Sequence, residues 1–167
     1  MTTRDHLVYA LQNMYSFSRD FLALLDSMIH ECGSDELRCV LQLQHDGIKS
    51  ELEPLERALN VLGAKIKMER SVLVPAIKET AARFKHQMNP SQEQLDVHSL
   101  LVTMRVTSLM RGTYQGDIEL ARAVGEQDIV TLLQENLHRQ AAGLRSLQAL
   151  ASTLTQEVGR KEMRHAA

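Results

Sequence analysis

Six polar residues sit at core spacing inside otherwise apolar helical stripes: Ser18, Gln44, Glu51, Thr107, Arg111 and Gln140. Helices of a bundle face one another through positions spaced alternately three and four. The stripes so defined run Leu7, Leu11, Met14, Ser18, Phe21, Leu25, Met28, then Leu37, Leu41, Gln44, Ile48, Glu51, Leu55, Leu59, Leu62. Two more run Val97, Leu100, Met104, Thr107, Arg111, Tyr114, Ile118, Ala121, and Ile129, Leu133, Leu137, Gln140, Leu144, Leu147, Ala151, Leu154. Each is apolar at its ends and polar near its middle. Antiparallel helices of similar length bring such middles to one level, so the spacing predicts a buried polar layer.

Polar layers at mid-bundle are where dinuclear iron and manganese sites are built, from inward Glu residues and Glu-x-x-His pairs. Two adjacent divalent cations need several carboxylates to neutralise them and imidazoles at fixed positions. This layer offers one carboxylate, Glu51, and sets a cation, Arg111, beside amides and hydroxyls. It has the layout of a metal site without its chemistry. The sharper reading pairs Glu51 with Arg111 in the space of the missing metals, between Gln44 and Gln140. Truncating one partner of such a buried pair costs about 3–5 kcal/mol. The plainer reading lets either side chain reach outward beside Pro54.

Other candidates carry less. His45 with Asp46, or His30 with Glu31 and Cys32, could hold a single ion, but Cys32 and Cys39 lack Cys-x-x-Cys spacing and fall on separate helices. Exposed helix positions explain the histidines better. A redox role for the two cysteines is weighed against the commoner use of free Cys as a small buried hydrophobe. Met14, Met28, Met104 and Met110 read as core packing before they read as haem or copper ligands. No nucleophile–base set or phosphate-cradling glycine loop stands at useful spacing.

The elements that position the layer follow from a few breakers. Scarce Pro and Gly among abundant Leu, Ala, Gln, Glu and Arg favour helix throughout. The first helix is predicted over Thr3–Cys32, ended by Gly33 in a left-handed turn. Ser34 caps a second, running to Leu62 with Pro54 inside it and stopping at Gly63. Residues 64–72 read as loop and Val74–His86 as a short connecting helix. Asn89 is predicted to cap the next helix with Pro90 in its first turn and Gln92 reaching back, and that helix runs to Val124 before Gly125. The last spans Gln127–Val158, with a frayed basic tail over 159–167. Four helices of about 30 residues, each about 45 Å long, make two antiparallel hairpins. The stretch 63–88 joins them as a long crossover.

The chain has 167 residues, 19 Lys+Arg against 21 Asp+Glu, and no Trp. That length suits one domain over 1–167 with its own core. The charge balance and scarce aromatics exclude a dedicated nucleic-acid surface, and no apolar run approaches the roughly 20 residues of a membrane span. Few cysteines and an opening that leads into a charged helix point to the cytoplasm.

From Leu7 to about Ala151 the chain resembles the YciE/YciF branch of the ferritin-like superfamily, a stress-associated bacterial family. The likeness is carried by Leu11 to Tyr15, Ser34-Asp35-Glu36-Leu37, Leu55-Glu56 with Leu62-Gly63, and Tyr114 followed by Gly125. It implies a ferritin-like all-α bundle, a carboxylate-bridged dinuclear centre and a homodimer. Carried over residue by residue, the centre is largely vacant. The family's Tyr-Asp-Ala-Glu falls on Tyr15, Ser16, Phe17 and Ser18, and its helix-two His and Glu fall on Gln44 and Gly47. Its Glu-His-x-Glu falls on Thr107, Ser108, Leu109 and Met110, and its last acidic run on His138, Arg139 and Gln140. The expectation is a structural or interaction protein, stress-related and without a cofactor. It forms a homodimer through Phe17, Leu22, Leu24, Val102 and Val106, and an unidentified protein partner is a further reading. The alternative is an iron- or manganese-dependent oxidase or iron-handling protein.

Overall fold

The computed structural model describes residues 1–67 and 69–165. Among these residues there are five helices and no strand: α1 (Thr3–Glu31), α2 (Asp35–Val61), α3 (Leu73–Met88), α4 (Gln92–Ala123) and α5 (Gln127–His165). Local chemistry accounts for most of their ends. Thr2 and Asp5 form a reciprocal capping box on α1, and the Ser34 hydroxyl accepts from the Leu37 amide at the start of α2. Gly63 (φ 68°) and Gly125 (φ 77°) supply the left-handed residues that close α2 and α4. α2 continues unbroken through the buried Pro54.

Three expected ends are different. Gly33 does not take a positive φ; the cap residue Cys32 is extended instead, at φ −72° and ψ 139°. What Gly33 provides is proximity: an added Cβ would stand 2.6 Å from Gln92 Cγ. Asn89 closes α3 in a left-handed conformation (φ 41°, ψ 55°) and does not open α4. Ser91 opens it, because its hydroxyl and the Gln94 amide satisfy two backbone donors reciprocally. The tail is not frayed where it is described, since α5 passes through Gly159 to His165 and Lys161 reaches Glu93 at 3.2 Å. Ala166 and Ala167 lie outside the described residues.

The four long helices surround one core in the order α1, α2, α5, α4, each packed on its two neighbours. Asp96 of α4 accepts the Gly33 and Ser34 amides (3.0 and 2.8 Å), so α4 starts beside the α1–α2 turn. Arg4 pairs with Glu126, so α5 starts beside the beginning of α1. Neighbouring long helices are therefore antiparallel. The crossover climbs α1: Gln12 donates to the Lys65 carbonyl (2.9 Å), Arg19 to the Glu69 carbonyl (2.8 Å), and Asp20 accepts the Ser71 amide (2.7 Å). α3 then lies against α1 and α4. This is the all-α bundle of two hairpins with a long crossover that the breakers predict.

Core stripes on α1 and α2 are buried at every predicted position. On α4 the seam is shifted. It runs through Asp96, Leu100, Thr103, Thr107, Met110, Tyr114, Asp117 and Ala121, all buried, while Arg111 is exposed and Val97 and Met104 are only half-buried. Inward polar residues at 96, 103 and 117 disguise the true alternation. Phe17, Leu24, Val102 and Val106, expected to face a second copy, are buried within the chain itself. Phe17 stacks on Phe21 with centroids 5.9 Å apart, and Val102 and Val106 line a groove between α3 and α4 together with Leu73, Ala76 and Ile77.

Candidate functional site

Five of the six expected layer residues are buried: Ser18, Gln44, Glu51, Thr107 and Gln140. Arg111 is the correction. The seam position on α4 next to Thr107 is Met110, one residue earlier, so the Arg111 side chain turns to solvent and no Glu51–Arg111 pair forms. Glu51 is instead held by uncharged donors. The Gln140 amide donates to both of its carboxyl oxygens (2.8 and 2.9 Å), and the Tyr114 hydroxyl donates to one (3.0 Å). Asn136 Nδ2 ties the group to the backbone, donating to the Glu51 carbonyl (3.1 Å) and reaching the Tyr114 hydroxyl (3.3 Å). Arg139 in turn donates to Asn136 Oδ1 at 2.8 Å. On the other side the Thr107 hydroxyl donates to Gln44 Oε1 at 3.4 Å. Ser18 is buried in the same layer, and its Oγ has no hydrogen-bond partner among the described residues.

Burial dominates the electrostatics. It pushes the Glu51 carboxyl up from 4.5 to about 7, against the opposing pull of Gln140, Tyr114 and the more distant Arg139 guanidinium. The same burial, reinforced by Glu51, holds the Tyr114 hydroxyl well above its ordinary range. Asp117, one turn from Tyr114 on the inward face of α4, is raised from 3.8 to about 7 by burial alone. Its Oδ2 has no hydrogen-bond partner among the described residues, nor has Gln140 Oε1.

Gln44 of α2 packs directly over Gly143 of α5. A Cβ on Gly143 would meet Gln44 Nε2 at 2.2 Å, so a side chain there would displace the amide. With Gly47 opposite, Gly143 borders a groove of about 280 Å³ whose floor includes Gln44, Glu51 and Gln140. The groove is the approach from solvent to the layer.

Two members of the network, Asn136 and Met110, are absent from the predicted stripes. Strict alternation of four and three through Ile129, Leu133, Asn136, Gln140, Gly143 and Leu147 would find Asn136, but Leu137 and Leu144 draw the seam toward the apolar residue beside it. The remaining candidates separate. The His45 ring lies between Asp26 (3.4 Å) and Asp46 (3.0 Å). Cys32 is buried and its thiol is raised chiefly by burial, which suits packing better than reactivity; Cys39 is exposed. Met14, Met28 and Met110 are buried, and Met104 is half-buried.

A dinuclear centre needs several carboxylates around two cations. The layer supplies Glu51, whose oxygens are engaged by protein donors, and amides and hydroxyls around it. Among the described residues no three His, Cys, Asp or Glu side chains converge on a common point. This donor set does not fit a metal pair. Its chemistry is that of a protein hydrogen-bond network around a buried carboxyl group poised near neutrality.

Comparison with known proteins follows the fold. A family model described as "Domain of unknown function (DUF892)" matches residues 2–158. Among solved structures, the chain is similar to the stress protein YciF of E. coli (18% identity, TM-score 0.84, covering 93% of this chain and 98% of that one). It is similar to YcfI of Rhodopseudomonas palustris, provisionally described as a structural protein (21% identity, TM-score 0.81, covering 89% and 94%). A Xanthomonas campestris protein shares 15% identity at a TM-score of 0.80, covering 97% and 99%. A search of curated proteins finds no match.

Proposed function

The chain belongs to the DUF892 family, and from that premise we propose that it is a YciF-type structural or interaction protein, stress-related and non-enzymatic, whose polar core stands where relatives would hold metals. One observation carries this reading: both oxygens of Glu51 are occupied by the Gln140 amide and the Tyr114 hydroxyl. A carboxyl so engaged, with its pKa raised to about 7, is a poor ligand for a divalent cation at neutral pH. The stress role is drawn from the likeness to the E. coli stress protein and the structural role from the likeness to YcfI. The balanced charge supports a protein partner over nucleic acid. The YciE/YciF resemblance supports a cytoplasmic homodimer, and light scattering that returns a monomer mass at high concentration would overturn that assembly.

The alternative is a di-iron or di-manganese oxidase or iron-handling protein. Elemental analysis of the full chain purified from iron- or manganese-supplemented cells separates the two. Metal far below one ion per chain is the expected result; near-stoichiometric metal reverses the reading.

A further inference from the structure

α3 is the least anchored helix of the molecule, with Val74 its one buried residue. Near its far end Phe84 lies flat on His98 of α4, ring centroids 4.1 Å apart and planes 5° apart. His98 Nε2 is buried and has no hydrogen-bond partner among the described residues. An unsatisfied imidazole nitrogen in such a place is tolerated as a neutral acceptor and poorly as a charged donor.

The charges around this ring also oppose a proton. α3 contributes Lys78 and Lys85, α4 contributes Arg105, and α1 contributes Glu31. Glu31 is already taken by an ion pair with Lys85. From α5 the neighbours are Thr155, Val158 and Gly159, none of them charged. We propose that the His98–Phe84 stack is an acid-released latch: protonation of His98 undocks α3 while the four long helices remain packed. Release would uncover apolar side chains of α1 and α4 that α3 shields, among them Leu24, Met28, Val102 and Val106.

The sign can be worked out independently. Burial first, then Arg105 and Lys85, hold His98 below its ordinary 6.5. A lowered histidine stabilises the docked state above the free value, and that stabilisation is lost as pH falls through the docked value. Glu51 and Asp117 are displaced the other way, so acidification strengthens the bundle core. One fall in pH therefore loosens the crossover helix and firms what lies beneath it.

Hydrogen exchange on the full chain, corrected for intrinsic rates and compared near pH 7.5 and about pH 5.5, tests this directly. Protection over residues 73–88 should drop by up to about tenfold, the ceiling at a pH one unit below histidine's ordinary 6.5, while α1, α2, α4 and α5 keep or gain protection. His98→Phe keeps a flat ring without the charge and should hold α3 protected at both values. Lys85→Gln, a surface change, frees Glu31 for His98 and should shrink the acid loss. Equal protection of 73–88 at both values in the wild type would overturn the proposal. So would loss spread evenly over all helices, or an acid loss unchanged in both variants.

Discussion

Asp117 and Arg111 show how one residue of register decides whether a charge is costly. Both lie on α4, yet Arg111 is exposed and Asp117 is buried with one oxygen unpartnered. Surface substitutions away from special features change stability by less than about 0.5 kcal/mol. Arg111→Met should therefore leave the thermal midpoint unchanged, measured by circular dichroism. Asp117→Asn should act differently. The carboxyl is raised from 3.8 to about 7, so its favourable contribution is complete below the lower value and lost as pH rises through the upper one. The amide should stabilise the protein at pH 8 by a few kcal/mol (order of magnitude only) and change little near pH 4. Denaturant midpoints at the two pH values check it. Four layer residues were legible because Leu, Ile and Met flank them on α1, α2 and α5, and Thr107 because the shifted seam of α4 still passes through it. Arg111 was misplaced because α4 puts Asp96, Thr103 and Asp117 on its inward face, the reverse of the usual polar-out signal.

At the scale of elements, glycines that look alike in sequence do different work. Gly63 and Gly125 need their positive φ, whereas Gly33 needs space beside Gln92. Two outcomes should diverge. Gly33→Ala should destabilise through a side-chain collision and be largely rescued by Gln92→Ser, which removes the offending Cγ contact. Gly125→Ala should cost about 1 kcal/mol or more with no such rescue, because the strain lies in its own backbone. Chemical unfolding of the three variants measures both. Helix positions and the crossover were legible because breakers are few and each has a local meaning. The start of α4 was missed by two residues because Asn89 and Ser91 are both good caps, and only the reciprocal Gln94 bond selects the second. That α3 shields Val102 and Val106 depends on how the crossover folds back, which no local pattern encodes.

For the whole molecule, the account turns on Glu51 as a carboxyl satisfied by protein and better kept neutral. Gln140 and Tyr114 supply the donors, and Gln140 Oε1 is left without a partner. An amide at position 51 would remove the titrating charge and let a reoriented Gln140 use that oxygen as an acceptor. Raised from 4.5 to about 7, Glu51 contributes stability that is complete at acid pH and gone once pH exceeds the upper value. The loss is about 3 kcal/mol. Thermal and denaturant unfolding of the wild type and Glu51→Gln, followed from about pH 5 to pH 8.5, is the most direct measurement. The account predicts curves that nearly coincide at the acid end and part above neutrality, with the glutamine variant the more stable. A variant less stable than the wild type at every pH, with stability that rises on adding iron or manganese to the wild type alone, would contradict it.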